Sequence, residues 1–148
     1  MQNNICFIKA SCRGRYAAAA KSFLENMFYE KIIPQRSNSL PSKGIFVEIN
    51  DEIVGMATYD NYGSAIEATV TFIYLKPAFR KIGIGSALLR ELENNLSHSG
   101  YIKLYIKAVT SDMDSLLDKF SYDMPTGCRT KVLSLKAITH LSHDEFRS

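Results

Sequence analysis

Between residues 65 and 109 the apolar pattern changes period twice, and no other stretch restricts the fold as much. Residues 65–75 are rich in β-branched side chains (Ile66, Thr69, Val70, Thr71, Ile73), as a strand requires. Ile84, Leu88, Leu89, Leu92 and Leu96 then recur at three- and four-residue steps, one apolar stripe of a helix that ends before Ser99-Gly100. The following YIKLYIKAV alternates, with Ile102, Leu104 and Ile106 on one side and Lys103, Tyr105 and Lys107 on the other. At the first change of period Gly83 and Gly85 stand one residue apart, straight after Arg80 and Lys81. Glycine costs backbone entropy on folding, so this turn needs either room or exposed amides.

The rest of the chain supplies neighbours for this unit. Ile5 to Lys9 reads as a short strand, and the next segment as a helix with Tyr16, Ala20, Phe23, Leu24, Met27 and Phe28 on one face, closed by Pro34. Residues 34–44, PQRSNSLPSKG, form a loop. IFVEINDEIVGMATY is two strands hinged on Asn50-Asp51, a tight hairpin signal, and residues 60–64 make another turn. After the alternating strand come a short helix, SDMDSLLDKF, with Ser111 or Asp112 as N-cap, and two strand pieces flanking a turn at Pro125–Gly127. The order is β-α-β-β-β-α-β-α-β-β. Hairpins followed by two βα crossovers predict an α/β chain with a mixed sheet and helices on both faces.

A helix start offers four unpaired amides and about half a positive charge, which suits a phosphate. Without Cβ atoms, Gly83 and Gly85 let a bulky anion approach, and Arg80 and Lys81 add formal charge. The dinucleotide fingerprint G-x-G-x-x-G is excluded, since its third glycine position holds Leu88, and no glycine spacing satisfies a P-loop.

The run Arg80-Lys81-Ile82-Gly83-Ile84-Gly85, continued by Ser-Ala-Leu-Leu and preceded by a strand ending in Leu-x-Pro, resembles the Q/R-x-x-G-x-G/A signature of the GNAT superfamily of acyl-CoA-dependent N-acyltransferases. Its place after a hairpin carrying Ile53-Val54-Gly55, and the element order from Ile5 to about Ile138, match as well. The resemblance implies a GNAT-like, mostly antiparallel sheet of about six or seven strands and a single domain over residues 1–148 with a polar tail from Thr139. It implies acetyl-CoA as co-substrate, its pyrophosphate on backbone amides around Ile82, Gly83, Ile84, Gly85 and Ser86, with Arg80 and Lys81 beside it. The exposed edges of Ile73 and Leu75 would bond the pantetheine arm like an added strand. An amine would attack the thioester directly in a ternary complex, with the Ile73 amide stabilising the oxyanion.

The family's thiolate-protonating tyrosine has no counterpart: in MDSLLDKFSY that position is Leu117, and Thr110 replaces a frequent asparagine. Thiolate release at pH 7 costs only about 2 kcal/mol, and Tyr105 is a substitute acid to weigh against a packing tyrosine. For the base, Glu67 shares simple strand parity with Thr69, Thr71 and Ile73, which would face it to the cleft; Glu48 and Glu52 flank the hairpin and rank lower. His140 and His143 lack companions at zinc-site spacing, so no metal is expected, and His98 suits a helix end.

Charge bears on the acceptor. Residues 1–43 hold seven Lys/Arg against Glu25 and Glu30, whereas the remainder holds eleven against thirteen acids. This favours an acidic acceptor, such as a protein segment or aminoacyl-tRNA, over a polyamine, although a small-molecule amine stays open and a solvated helix surface explains the charge equally. No run of eighteen apolar residues spans a membrane and the polar start is not a signal peptide. Cys6, Cys12 and Cys128, without a C-x-x-C pair, read as reduced cytoplasmic thiols. A homodimer stays open. Two alternatives stand beside the acetyltransferase: a non-catalytic acetyl-CoA-binding sensor or partner-docking module, marked by the missing tyrosine, and an acyltransferase for longer acyl donors.

Overall fold

The computed structural model describes residues 4–37, 39–106, 111–120, 122–123 and 129–133. Its elements are β1 (Ile5–Ser11), α1 (Arg15–Tyr29), β2 (Lys43–Ile49), β3 (Glu52–Asp60), β4 (Glu67–Leu75), a 3-10 turn (Pro77–Phe79), α2 (Ile84–His98), β5 (Lys103–Ile106), α3 (Ser111–Lys119) and β6 (Arg129–Val132). The strands form one sheet in chain order, every neighbouring pair antiparallel except β4 and β5, which are parallel. The helix between those two strands is the crossover that a parallel pair needs.

The two helical stripes cover opposite faces. Ala20, Phe23, Leu24 and Met27 of α1 pack on Phe46, Met56 and Tyr74. The α2 stripe, Ile84, Leu88, Leu89, Leu92 and Leu96, is buried on Ile45, Val47, Ala57, Val70 and Leu104, joined by Leu117 of α3. Each such side chain contributes about 1.5–3 kcal/mol by leaving water. The β2–β3 hairpin turns on Asn50 (φ 51°) and Asp51 (φ 69°), the two left-handed residues of a type I′ turn. Gly55 follows from packing: a Cβ there would stand 2.5 Å from Leu75 Cδ2 and 2.7 Å from the Tyr74 carbonyl.

Two boundaries and two strand details differ from the sequence expectation. α1 stops at Tyr29, well before Pro34, because Lys31 turns left-handed (φ 62°) and the Ile32 amide returns to the Met27 carbonyl at 2.8 Å. β4 starts at Glu67, since Ser64 Oγ accepts the amides of Ile66 and Glu67 at 3.2 and 3.0 Å and holds them in the turn. A β-bulge interrupts β4: Thr58 pairs with Phe72 and Tyr59 with Val70, leaving Thr71 as the extra residue. Finally, the piece before the last turn is described only as a single bridge, Asp123 to Thr130, while the six described strands match the expected sheet of about six or seven. The residue preceding α3, Cys128, the Pro125–Gly127 turn, and the tail with its two histidines lie outside the described residues.

Among the described residues no helix is long and apolar enough to cross a membrane. Cys6 and Cys12 are free thiols, and burial pushes that of Cys12 up, toward the inert form.

Candidate active site

β4 and β5 stay paired from Glu67–Lys103 to Val70–Ile106, and that is their last described pair. β4 runs on to Leu75, so Thr71–Leu75 have no described strand on that side. The chain then makes its 3-10 turn, and enters α2 through Lys81 (φ 63°) and Gly83 (φ 91°), both left-handed. Gly83 is the N-cap, a conformation that glycine reaches without a Cβ clash.

No side chain caps this helix and its first turn has no acid. The first backbone bond within it runs from Ala87 to the Gly83 carbonyl at 3.2 Å, so the amides of Ile84, Gly85 and Ser86 precede the intrahelical ladder. Gly83, Gly85 and Ser86 line a cavity of about 520 Å³. One wall is the parted end of β4 (Ile73, Tyr74, Leu75) and the next is the turn itself (Arg80, Lys81, Gly83, Gly85, Ser86). Met113, Ser115, Leu116 and Lys119 of α3 close a third side, and Glu30 and Ile32 beyond α1 a fourth.

Arg129, buried on β6, holds α3 in place, with Nη1 2.6 Å from Asp118 Oδ1 and Nη2 3.3 Å from Asp114 Oδ1. On the opposite wall Arg80 donates Nε–H to the Leu75 carbonyl at 2.8 Å. Its Nη2 lies 2.7 Å from Glu30 Oε1, out of line for a hydrogen bond, so that contact is Coulombic. Tyr74 donates its hydroxyl to Glu30 Oε2, and its phenol is pushed up to about 12 by burial and by the Glu30 carboxylate.

Of the residues expected from the sequence, Ile73, Leu75, Arg80, Lys81, Gly83, Gly85 and Ser86 meet around this cavity. Ile82 points to solvent and Ile84 into the core, so only their backbone can serve it. Arg80 is bound to protein groups, and the Leu75 carbonyl is occupied by it. Glu67 does not line the cavity, and its parity with Ile73 is broken: the bulge at Thr71 puts Glu67 and Thr69 on the α1 side of the sheet, while Ile73 packs on the α2 side. Leu117, at the family's tyrosine position, is fully buried in the core; Leu116 is the cavity residue. Sequence reasoning missed Glu30, Tyr74 and the α3 wall, although Met113, Leu116 and Lys119 follow a three-residue step that a second helical face would explain.

A protein-family model described as the acetyltransferase (GNAT) family matches residues 11–117. The chain belongs to the GNAT family. No curated protein matches it significantly. Among solved structures, this GNAT chain is similar to the ribosomal-protein-S18-alanine N-acetyltransferase of Escherichia coli, at 18% identity and TM-score 0.66, over 90% of this chain and 96% of that one. It is also similar to yncA of Salmonella typhimurium, solved with its cofactor acetyl-CoA, at 12% identity and TM-score 0.68, over 88% and 95%. A third likeness is to N-acetylglutamate synthase of Neisseria gonorrhoeae complexed with coenzyme A and N-acetyl-glutamate, at 12% identity and TM-score 0.65; it covers 86% of this GNAT chain but 35% of the synthase. At these identities the likeness shows a shared fold. Among the described residues no group of three or more His, Cys, Asp or Glu is placed to hold a metal ion.

Proposed function

We propose that this GNAT chain transfers an acetyl group from acetyl-CoA to an amine, with the cavity at the head of α2 as the donor site. One observation carries the reading: Gly83, Gly85 and Ser86, at the uncapped start of α2, line the same cavity as Ile73 to Leu75 of β4, whose edge has no described strand beside it there. A donor that is a pyrophosphate at one end and a diamide chain at the other needs both, side by side. Lys81 and Lys119 stand at the rim as cations, and Ile73, Met113 and Leu116 supply an apolar wall. The similar structures solved with acetyl-CoA and with coenzyme A support the choice of donor.

The amine nitrogen bonds to the thioester carbonyl carbon as the carbon–sulfur bond breaks. Glu67, which the bulge turns to the α1 side of the sheet and which does not line the donor cavity, is proposed to take the amine's proton through water. Four residues of strand, about 13 Å, separate it from Thr71, so the relay needs more than one water. The thiolate leaves and takes its proton from solvent. The reading carries with it one domain over residues 1–148 and a cytoplasmic setting, both drawn from the sequence.

Thiol release from acetyl-CoA, measured against peptides with acidic N-termini, free amino acids, aminoacyl-tRNA and polyamines, tests the reading. Saturable release with one class supports it, and Glu67→Gln should then lower kcat about a hundredfold while leaving acetyl-CoA affinity unchanged. A second reading, an acetyl-CoA sensor without turnover, is favoured by the core position of Leu117 and by the engagement of Tyr74 with Glu30. Tight donor binding with no release on any amine decides for it.

A further inference from the structure

Among the described residues, Glu30 is the only carboxylate lining a cavity rimmed by Arg80, Lys81 and Lys119. On simple Coulombic grounds an acid there repels a phosphorylated ligand, so its presence calls for a compensating role. We propose that Glu30 is a positioning residue for the donor site: it fixes Arg80, and through Arg80 the turn that presents the α2 amides. The inference rests on the donor-site reading above and adds a residue from α1's end to it.

The backbone of Glu30 is itself well anchored. It is the C-cap of α1, its amide bonded to the Asn26 carbonyl at 2.8 Å, and the chain folds back beyond it through left-handed Lys31. Its side chain then ties two other elements. Oε1 meets Arg80 Nη2 at 2.7 Å, and Oε2 accepts the Tyr74 hydroxyl from the end of β4. Arg80 completes the arrangement, with Nε on the Leu75 carbonyl at 2.8 Å and its guanidinium 5.1 Å from the centre of the Tyr74 ring.

The bond from Arg80 to Leu75 closes the 3-10 turn into a ring between strand and helix. Immediately after it comes Lys81 at φ 63°, a conformation costing an L-residue about 1–2 kcal/mol. A residue held there needs rigid neighbours; α2 is one and the clamped Arg80 is the other. With its guanidinium engaged by Glu30 and Leu75, Arg80 does not reach for phosphate. That leaves Lys81 and Lys119, neither in an ion pair among the described residues, as the rim's available cations.

The sign of one substitution separates this role from electrostatics. Glu30→Gln keeps the shape and removes the charge. If Glu30 acts only as a nearby anion, acetyl-CoA binds more tightly; if it positions the turn, the dissociation constant by calorimetry rises about tenfold. Acceptor KM and the melting temperature should stay close to wild type. Arg80→Lys, which keeps the cation and loses the Nε bond to Leu75, should weaken donor binding similarly. The double variant should be no worse than either single one, because both break the same link. Should Glu30→Gln fail to fold, Arg80→Lys is read by the same criterion. A wild-type chain that binds no acetyl-CoA overturns the donor site and this role with it. Wild-type binding that Glu30→Gln leaves equal or tighter overturns the positioning role alone.

Discussion

Thr58 Oγ1 lies 2.7 Å from Thr71 Oγ1, a hydrogen bond that joins the centre of β3 to the bulged residue of β4. Thr58 is fully buried and its oxygen is also 3.4 Å from the Phe72 carbonyl. The bond therefore sits where β4 changes face, one residue past its last pair with β5. Thr58→Val keeps the shape and removes the hydroxyl, so the variant should lose about 1–2 kcal/mol in urea unfolding. Thr58→Ser should lose less. If the valine variant is as stable as wild type, the hydroxyl pair does not hold the bulge.

The two glycines of the turn should respond differently. Gly83 is left-handed with open space where a Cβ would go, so Gly83→Ala costs backbone strain alone, about 1–2 kcal/mol. A Cβ on Gly85 would meet Leu75 Cδ1 at 3.7 Å and Leu116 Cδ2 at 3.9 Å, ordinary contacts that the fold can hold. Gly85→Val should thus fold with wild-type stability but bind acetyl-CoA weakly, its methyls standing before the amides. Calorimetric affinity equal to wild type would refute the amide cradle.

Restoring a tyrosine to α3 should not restore an acid. Leu117 is fully buried beside the α2 stripe. Leu117→Tyr overfills that site and should cost about 1–3 kcal/mol, visible as a lower melting temperature with no gain in thiol release. A gain in turnover at unchanged stability would mean that this side chain reaches the donor after all.

Alkaline titration offers a further check. Burial raises the phenols of Tyr16, Tyr59, Tyr74 and Tyr122 above the usual value near 10, with Glu48, Glu30 and Glu93 adding to it at Tyr16, Tyr74 and Tyr122. A folded pKa above the unfolded one stabilises while the group is protonated. That contribution is complete below about pH 10 and, for Tyr74, is lost between about pH 10 and about 12. Absorbance at 295 nm should accordingly show only part of the eight tyrosines ionising before unfolding. Tyr74→Phe should flatten the stability loss over that window; an unchanged profile would mean that Tyr74 is not responsible.

What could be read in advance was whatever repeats locally. The α2 stripe announces itself because five leucine-type positions share one period, and Asn50-Asp51 because few residue pairs accept two left-handed conformations in succession. The glycine turn was legible for the same reason of backbone chemistry. The bulge at Thr71 was not: it has no compositional mark, and a single extra residue reverses the face of everything before it, Glu67 included. Lys31 was equally silent, since nothing in a lysine side chain announces a left-handed backbone. The ion pair between Glu30 and Arg80 spans fifty positions, and only the finished sheet brings its ends together.

The stretch of β4 beyond its last described pair with β5 bears on more than chemistry. Among the described residues, peptide groups from Thr71 to Leu75 have no strand beside them on the β5 side, and a ligand lying along them as proposed would take that place. On the donor-site proposal its supply would govern durability as well as chemistry: starved of donor, the chain should be more readily opened by heat or a protease than when it is fed.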